Sequence, residues 1–112
     1  MINWFIFVAL SIVAYTLISI FADVTASDTD GALQALKNVF TPLGLLLVLI
    51  ANAIYGVAIY YGFTSTKLAI PIALAIGALT AWFYSLIFLG KVFELNDALG
   101  LVLVIVGIFL LN

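Results

Sequence analysis

The sequence contains no cysteine and no histidine, and its only charged side chains are three lysines and five acidic residues in 112 positions. Without cysteine there is no disulfide, thiol nucleophile or thiolate ligand. Without histidine the chain lacks the commonest general base and metal ligand. It shows no nucleophile–base pair, glycine-rich phosphate loop or ligand cluster. The sequence therefore predicts a protein that is not an enzyme and holds no metal or cofactor. It has no basic cluster, so we expect no nucleic-acid partner.

Apolar residues make up 68% of the chain, which leaves too few polar side chains to cover a soluble domain. They form four runs, at about 2–22, 39–62, 68–90 and 97–111, with a polar connection at 23–38. A helix needs about 20 apolar residues to cross a bilayer core. The alternating pattern of a transmembrane barrel is absent. The sequence predicts one all-α domain over residues 1–112, with four transmembrane helices running up-down-up-down.

The charges give no clear orientation for this predicted bundle. Lys67 lies on the side of the N-terminus, whereas Lys37 and Lys91 lie on the other side, and acidic residues count little toward orientation. One interpretation is a weak bias that the insertion machinery or a partner resolves. The other is dual topology, with both orientations inserted and paired. We expect a multi-pass protein of the cell inner (plasma) membrane.

Several polar residues lie where helices are expected to begin. Pro42 suits the first turn of the second long helix. Asp28 or Asp30 is expected to cap a short amphipathic turn that ends near Lys37. Asn96 or Asp97 is expected to cap the last helix. We interpret Asp23, Asp28 and Asp30 together as a solvated acidic connection, because they lack the spacing of a calcium loop.

Small and polar residues line one face of each of the first three long helices. Ser11, Tyr15 and Ser19 recur every fourth residue, which places them on one stripe of a helix. The predicted substrate groove consists of Ser11, Tyr15, Ser19, Asn52, Tyr55, Thr80 and Tyr84. The alternative is ordinary helix–helix packing through small and polar residues. Asn52 is the strongest single candidate, because an unpaired amide in hydrocarbon is unfavourable.

Two further sets of residues suggest assembly and bending. The predicted oligomer interface on the last helix consists of Gly100, Leu103, Val104 and Gly107. Its glycines are seven residues apart, so both lie on one face and allow a close helix crossing. Pro71 and Gly77 are the predicted hinge of the third long helix, because sharp helix bends usually occur at such residues. Trp82 is interpreted as lipid-facing, since cation–π sites usually gather several rings.

From residue 41 onward the chain resembles the small multidrug resistance family, within the drug/metabolite transporter superfamily. The resemblance is carried by Thr41-Pro42, Gly77, the stretch from Gly90 to Gly100, and Gly107. In order, these match the family's aromatic-proline helix start, its glycine in helix three, its acidic connection and its glycine-rich last helix. The resemblance implies a four-helix membrane transporter. Because four helices alone enclose little volume, we expect a dimer or paired subunit.

The chain departs from the family's exporters at their functional residues. Those exporters carry a glutamate in the middle of helix one, and the matching position here is Ala14. The aromatic residues that enclose the cation in helix three are matched by Ile70 and Ala73. The connection from Asp23 to Lys37 is also longer than in the family. The chain is therefore more similar to the branch without the carboxylate, such as the paired flippase subunits for aminoarabinose-linked undecaprenyl lipid.

These observations leave two functions open. The first is transport, in which the chain moves or flips a lipid-linked or neutral amphipathic molecule as a dimer or paired subunit, with membrane lipid as its surroundings. The second is a structural role, as an accessory subunit packed against a larger membrane complex. A proton- or cation-exchanging exporter is not expected, because an intramembrane carboxylate is kept for such coupling and none is found here.

Overall fold

The computed structural model describes residues 1–27, 29–90 and 94–111, and these residues are helical with short connections. The helices are α1 (Ile2–Ala26), α2 (Ala32–Val39), α3 (Pro42–Ser65), α4 (Ala69–Phe88) and α5 (Leu95–Leu111). The predicted all-α class is confirmed, and no strand occurs in the described ranges. Asp28 and Lys91, which entered the predictions above, lie outside these ranges, as does Asn112.

Three of the helices are long and apolar enough to cross a membrane, namely α1, α3 and α4. They contain 25, 24 and 20 residues. The fifth helix is apolar but has 17 residues, which at 1.5 Å per residue is about 25 Å and shorter than a bilayer core of about 30 Å. The chain is thus a membrane protein by the length and composition of three helices.

The first helix is longer than the sequence predicted. It continues past residue 22 to Ala26, because Thr25 remains helical and its hydroxyl donates to the Phe21 carbonyl at 2.7 Å. Such bonds to the preceding turn let a hydroxyl lie within an apolar helix. Asp23 consequently belongs to α1. The interpretation that it is part of a solvated acidic connection is wrong.

The short helix α2 forms where an amphipathic turn was predicted, with Lys37 in its last turn. Its N-cap residue is Gly31, and no side chain caps it, so the capping role predicted for Asp30 is wrong. The Asn38 amide nitrogen donates to the Thr25 carbonyl at 3.0 Å. This bond fastens the end of α2 to the end of α1.

Side chains at the starts of α3 and α5 accept backbone hydrogen bonds in different ways. Thr41 is the N-cap of α3: its hydroxyl accepts from the Gly44 N–H at 3.2 Å, and Pro42 follows in the first turn as predicted. In α5 the helix starts at Leu95, two residues before the predicted 97. Asp97 is therefore not the cap but lies in the first turn, where its carboxylate accepts from the Glu94 N–H at 3.1 Å. Asn96 is likewise inside the helix.

Hydrogen bonds at both ends of α1 define its direction relative to its neighbours. The Asn3 amide donates to the Thr64 hydroxyl at 3.0 Å, so the start of α1 meets the end of α3 and the two helices are antiparallel. The Tyr84 hydroxyl donates to the Asp23 carboxylate at 2.9 Å, so the ends of α1 and α4 meet. Among the described residues α1 contacts α2, α3 and α4, whereas α5 contacts α4 alone.

Small side chains bring α1 and α3 together. Gly44, Ala51 and Ala58 are buried and recur every seventh residue, which keeps one face of α3 against its neighbour. The ring of Phe7 is fully buried and fills the space above Gly62, where an added Cβ would lie 2.8 Å from the ring. Large rings of α1 therefore pack onto small residues of the helices around it.

Candidate functional site

Tyr15 lies where α1, α3 and α4 meet, near the middle of the bundle. Its ring packs edge-on against that of Tyr55, with centroids 5.7 Å apart and an interplanar angle of 86°. From α4, a Cβ added to Gly77 would lie 2.5 Å from the Tyr15 ring. The structure thus brings together two of the predicted groove residues, Tyr15 and Tyr55, and places the predicted hinge glycine directly beside them.

Ser11 and Ala14 lie on the buried face of α1, and both side chains are fully buried. The Ser11 hydroxyl has no hydrogen-bond partner among the described groups. Most buried polar atoms have a partner, so this hydroxyl is an exception within the bundle. Ala14 is enclosed by packing, and a carboxylate at this position would be cut off from water.

Three other predicted groove residues are satisfied within their own helices. Ser19 donates to the Tyr15 carbonyl at 2.9 Å, Asn52 to the Val48 carbonyl at 2.9 Å, and Thr80 to the Ile76 carbonyl at 2.8 Å. Each bond spans four residues, so it explains how a polar side chain is accommodated in an apolar helix. Asn52 is exposed on α3 rather than enclosed between helices.

The bond between Tyr84 and Asp23 joins a predicted groove residue to one that sequence reasoning missed. Asp23 is four residues beyond Ser19, so it continues the stripe of Ser11, Tyr15 and Ser19 along α1. That spacing is the signal that identifies it, once α1 is known to extend past residue 22. Both partners are partly buried.

An apolar groove of about 380 Å³ runs between α1 and α4. Its walls include Ile12 and Thr16 from the middle of α1, and Thr80, Phe83 and Tyr84 from α4. Beside it, at the end of the two helices, lies a smaller pocket of about 220 Å³ whose wall is partly polar. Tyr84 belongs to the walls of both. The arrangement offers an apolar surface next to a carboxylate and several hydroxyls.

The predicted oligomer residues lie along α5. An added Cβ at Gly100 or Gly107 would meet no atom within 4 Å, and Leu103 is 71% exposed. Gly100 and Val104 line a cavity of about 240 Å³ between α4 and α5, where Trp82 also lies. Leu103 is therefore open to a neighbour, whereas Gly100 and Val104 lie on the side of α5 toward α4.

The predicted hinge residues lie in an uninterrupted helix. Pro71 is the third residue of α4, in the first turn, where the missing N–H leaves no intrahelical bond unmade. Gly77 is buried, and the ring of Tyr15 occupies the space that a side chain would fill. A packing requirement is therefore sufficient to explain this glycine, while bending of α4 stays a prediction.

The described helices define the class of the chain as a small all-helical membrane protein, with an aromatic contact at its centre and a groove on its side. No family model, curated protein or solved structure matches the chain.

Proposed function

We propose that the chain is a small transporter-like protein of the cell inner (plasma) membrane that moves or flips a lipid-linked or neutral amphipathic molecule. In this proposal α5 is the fourth span of an up-down-up-down unit, and the working form is a dimer or paired subunit. The observation that carries the proposal is the groove between α1 and α4, which is apolar along its length and polar at one end.

The size and the position of the groove support this function. Ligand pockets usually enclose about 300–1,000 Å³, and the groove of about 380 Å³ falls within that range. It lies between two helices that are each long enough to span a bilayer. Its open side therefore faces acyl chains, so an amphipathic molecule can enter it from within the membrane.

The charges of the described residues favour an amphipathic substrate over proton or cation exchange. Ala14 is fully buried at the position where exporters of the resembled family keep a carboxylate. Around it the aromatic contact of Tyr15 and Tyr55 and the small residue Gly77 are uncharged. Asp23 lies in the last turn of α1, near the end of the helix. Without a central carboxylate there is no group on which proton and substrate exchange.

The proposal is tested by lipid flipping in proteoliposomes that contain a fluorescent lipid in both leaflets. Dithionite bleaches the outer label, and further bleaching reports lipid that has crossed the bilayer. We expect Tyr84→Phe, which removes a hydroxyl from the groove wall, and Ile12→Trp, which fills the groove, to slow the second phase, with the helical circular dichroism signal unchanged. Tyr60→Phe is the matched control, because Tyr60 is 65% exposed on the outside of α3. If vesicles with wild-type protein bleach in the second phase no faster than protein-free vesicles, the proposed transport is contradicted.

One observation favours the second function, an accessory subunit of a larger membrane complex. In the described chain α5 touches only α4, and several of its large apolar side chains are more than half exposed. A helix with so few contacts inside its own chain has a surface available for another membrane protein. The two functions differ in lipid flipping, which an accessory subunit does not need, so the proteoliposome measurement separates them.

A further inference from the structure

The pocket at the end of α1 and α4 has hydroxyls and one carboxylate in a wall that also includes Ala22, Ala81 and Leu89. Its polar side chains are Ser19 and Asp23 from α1, Ser27 directly after α1, and Tyr84 and Ser85 from α4. A carboxylate only accepts hydrogen bonds, and here it already accepts one from Tyr84 at 2.9 Å. Its remaining lone pairs favour a ligand that donates hydrogen bonds.

The charge of this pocket selects against anions. Asp23 is the only ionisable carboxylate in the wall, and the described wall residues include no lysine. A phosphate head placed here would meet a like charge without a cation to offset it. A head with hydroxyl groups avoids this repulsion, and such a hydroxyl can donate to the carboxylate and accept from Ser27 or Ser85, since the Ser19 hydroxyl already donates to the Tyr15 carbonyl.

The apolar groove and the polar pocket are arranged in the same order as the two ends of an amphiphile in a bilayer. Ile12 and Thr16, on the groove, lie in the middle of α1, whereas Asp23 lies in its last turn. The polar pocket is therefore near the membrane surface, and the groove extends toward the bilayer centre. A single hydrocarbon chain in the groove would carry its head to Asp23 and Tyr84.

We propose that this site binds a single-chain amphiphile with an uncharged, hydroxyl-bearing head, with the head on Asp23 and Tyr84 and the chain between α1 and α4. The inference rests on the proposed transport of an amphipathic molecule and specifies the class of that molecule. It assigns to Asp23 the selection of the head and to Ile12 part of the surface that holds the chain.

The test uses the full chain in phosphatidylcholine nanodiscs that contain equal amounts of 1-oleoylglycerol and 1-oleoyl-lysophosphatidic acid. These probes share one chain and differ in the phosphate. Native mass spectrometry after release from the nanodiscs gives the ratio of the probes retained on the protein. We expect wild type to retain the glycerol probe about tenfold over the anionic probe, the scale of one hydrogen bond to a charged group. Asp23→Asn should bring the ratio close to one.

Two further variants complete the test. Asp30→Asn removes a carboxylate from the exposed connection and should leave the wild-type ratio unchanged. Ile12→Trp fills the groove without touching the polar pocket, so it should lower retention of both probes. Equal retention of the two probes by wild type, or a preference that persists in Asp23→Asn, would overturn the site. Unchanged retention in a folded Ile12→Trp protein overturns the placement of the chain.

Lipid flipping measured on the same proteins keeps the two proposals apart. A glycerol preference that Asp23→Asn abolishes, in a protein that does not flip lipid, supports the site and contradicts transport. Flipping at the wild-type rate by a protein without any probe preference supports transport and overturns the site.

Discussion

The ring of Tyr15 rests directly on the backbone of Gly77, so that a single methyl group on Gly77 would lie 2.5 Å from the ring. Tyr55 of α3 packs edge-on against the same ring at 5.7 Å, so the ring contacts both α3 and α4. The absence of a side chain at residue 77 thus allows α4 to approach the Tyr15 ring of α1 this closely.

Gly77→Ala should destabilise the bundle by about 1–3 kcal/mol, the usual effect of adding a group to a closely packed site. The measurement is unfolding in mixed detergent micelles with rising fractions of a denaturing detergent. Gly56→Ala is the control: an added Cβ there meets no atom within 4 Å, and a better helix former is favoured by up to about 1 kcal/mol. In the Tyr15→Leu background the effect of Gly77→Ala should shrink. If Gly77→Ala and Gly56→Ala change the unfolding free energy equally, the contact between Gly77 and the Tyr15 ring does not contribute to stability.

Ala14→Glu should not create a proton-coupled exporter. Ala14 is fully buried, so the new carboxylate would have neither water nor a cation beside it and would lower the stability of the fold. Ala14→Leu adds comparable bulk without charge and separates crowding from ionisation. We expect lower stability for both variants, a larger loss for glutamate, and no cation export by either in proton-gradient vesicles. Export by Ala14→Glu contradicts the closed packing at this position.

Ser11→Ala should leave stability unchanged or raise it by about 1 kcal/mol, because it removes a buried hydroxyl that has no partner among the described groups. The same detergent unfolding series measures the effect. Ser19→Ala is the comparison, since the Ser19 hydroxyl donates to the Tyr15 carbonyl at 2.9 Å and its removal breaks a bond. A clear loss of stability in Ser11→Ala would show that its hydroxyl has a partner in the membrane.

Gly100→Leu and Gly107→Leu should disrupt assembly while leaving the chain folded. An added Cβ at either glycine meets no atom of the described chain within 4 Å, so the first atom of the new side chain is accommodated in the monomer. We expect wild type to co-purify with a second tagged copy or a membrane partner from mildly solubilised membrane, and both variants to lose that association. Leu103→Ala, which shortens an exposed side chain on the same helix, is the milder comparison. Retained assembly in both glycine variants contradicts the interface.

The helices follow from the sequence because apolar runs of this length have few alternatives, and capping residues mark some of their ends. Thr41 and Pro42 show this well, since cap and first turn are local features. The end of α1 does not follow from its local pattern in this way. Polar residues such as Thr25 are typical of a loop, but a hydroxyl that donates to a backbone carbonyl of its own helix lets the helix continue.

Contacts between distant residues were harder to predict than the helices. Tyr15 and Tyr55 were placed in one groove from helical spacing, and they do touch. The sequence favours Asn52 as a groove residue because an amide in hydrocarbon needs a partner. The Val48 carbonyl of its own helix is that partner. The pair of Asp23 and Tyr84, 61 residues apart, depends on how two helices cross, which their separate patterns do not encode.

The position of α1 in the bundle also orders events during synthesis. This helix leaves the ribosome before its partners α3 and α4, which come from later parts of the chain. Asn3 can reach Thr64 only when α3 has been inserted, and Asp23 reaches Tyr84 only after nearly all of α4. Until then α1 must wait in the translocon or in lipid with its packing face uncovered, so its contacts with α3 and α4 form late.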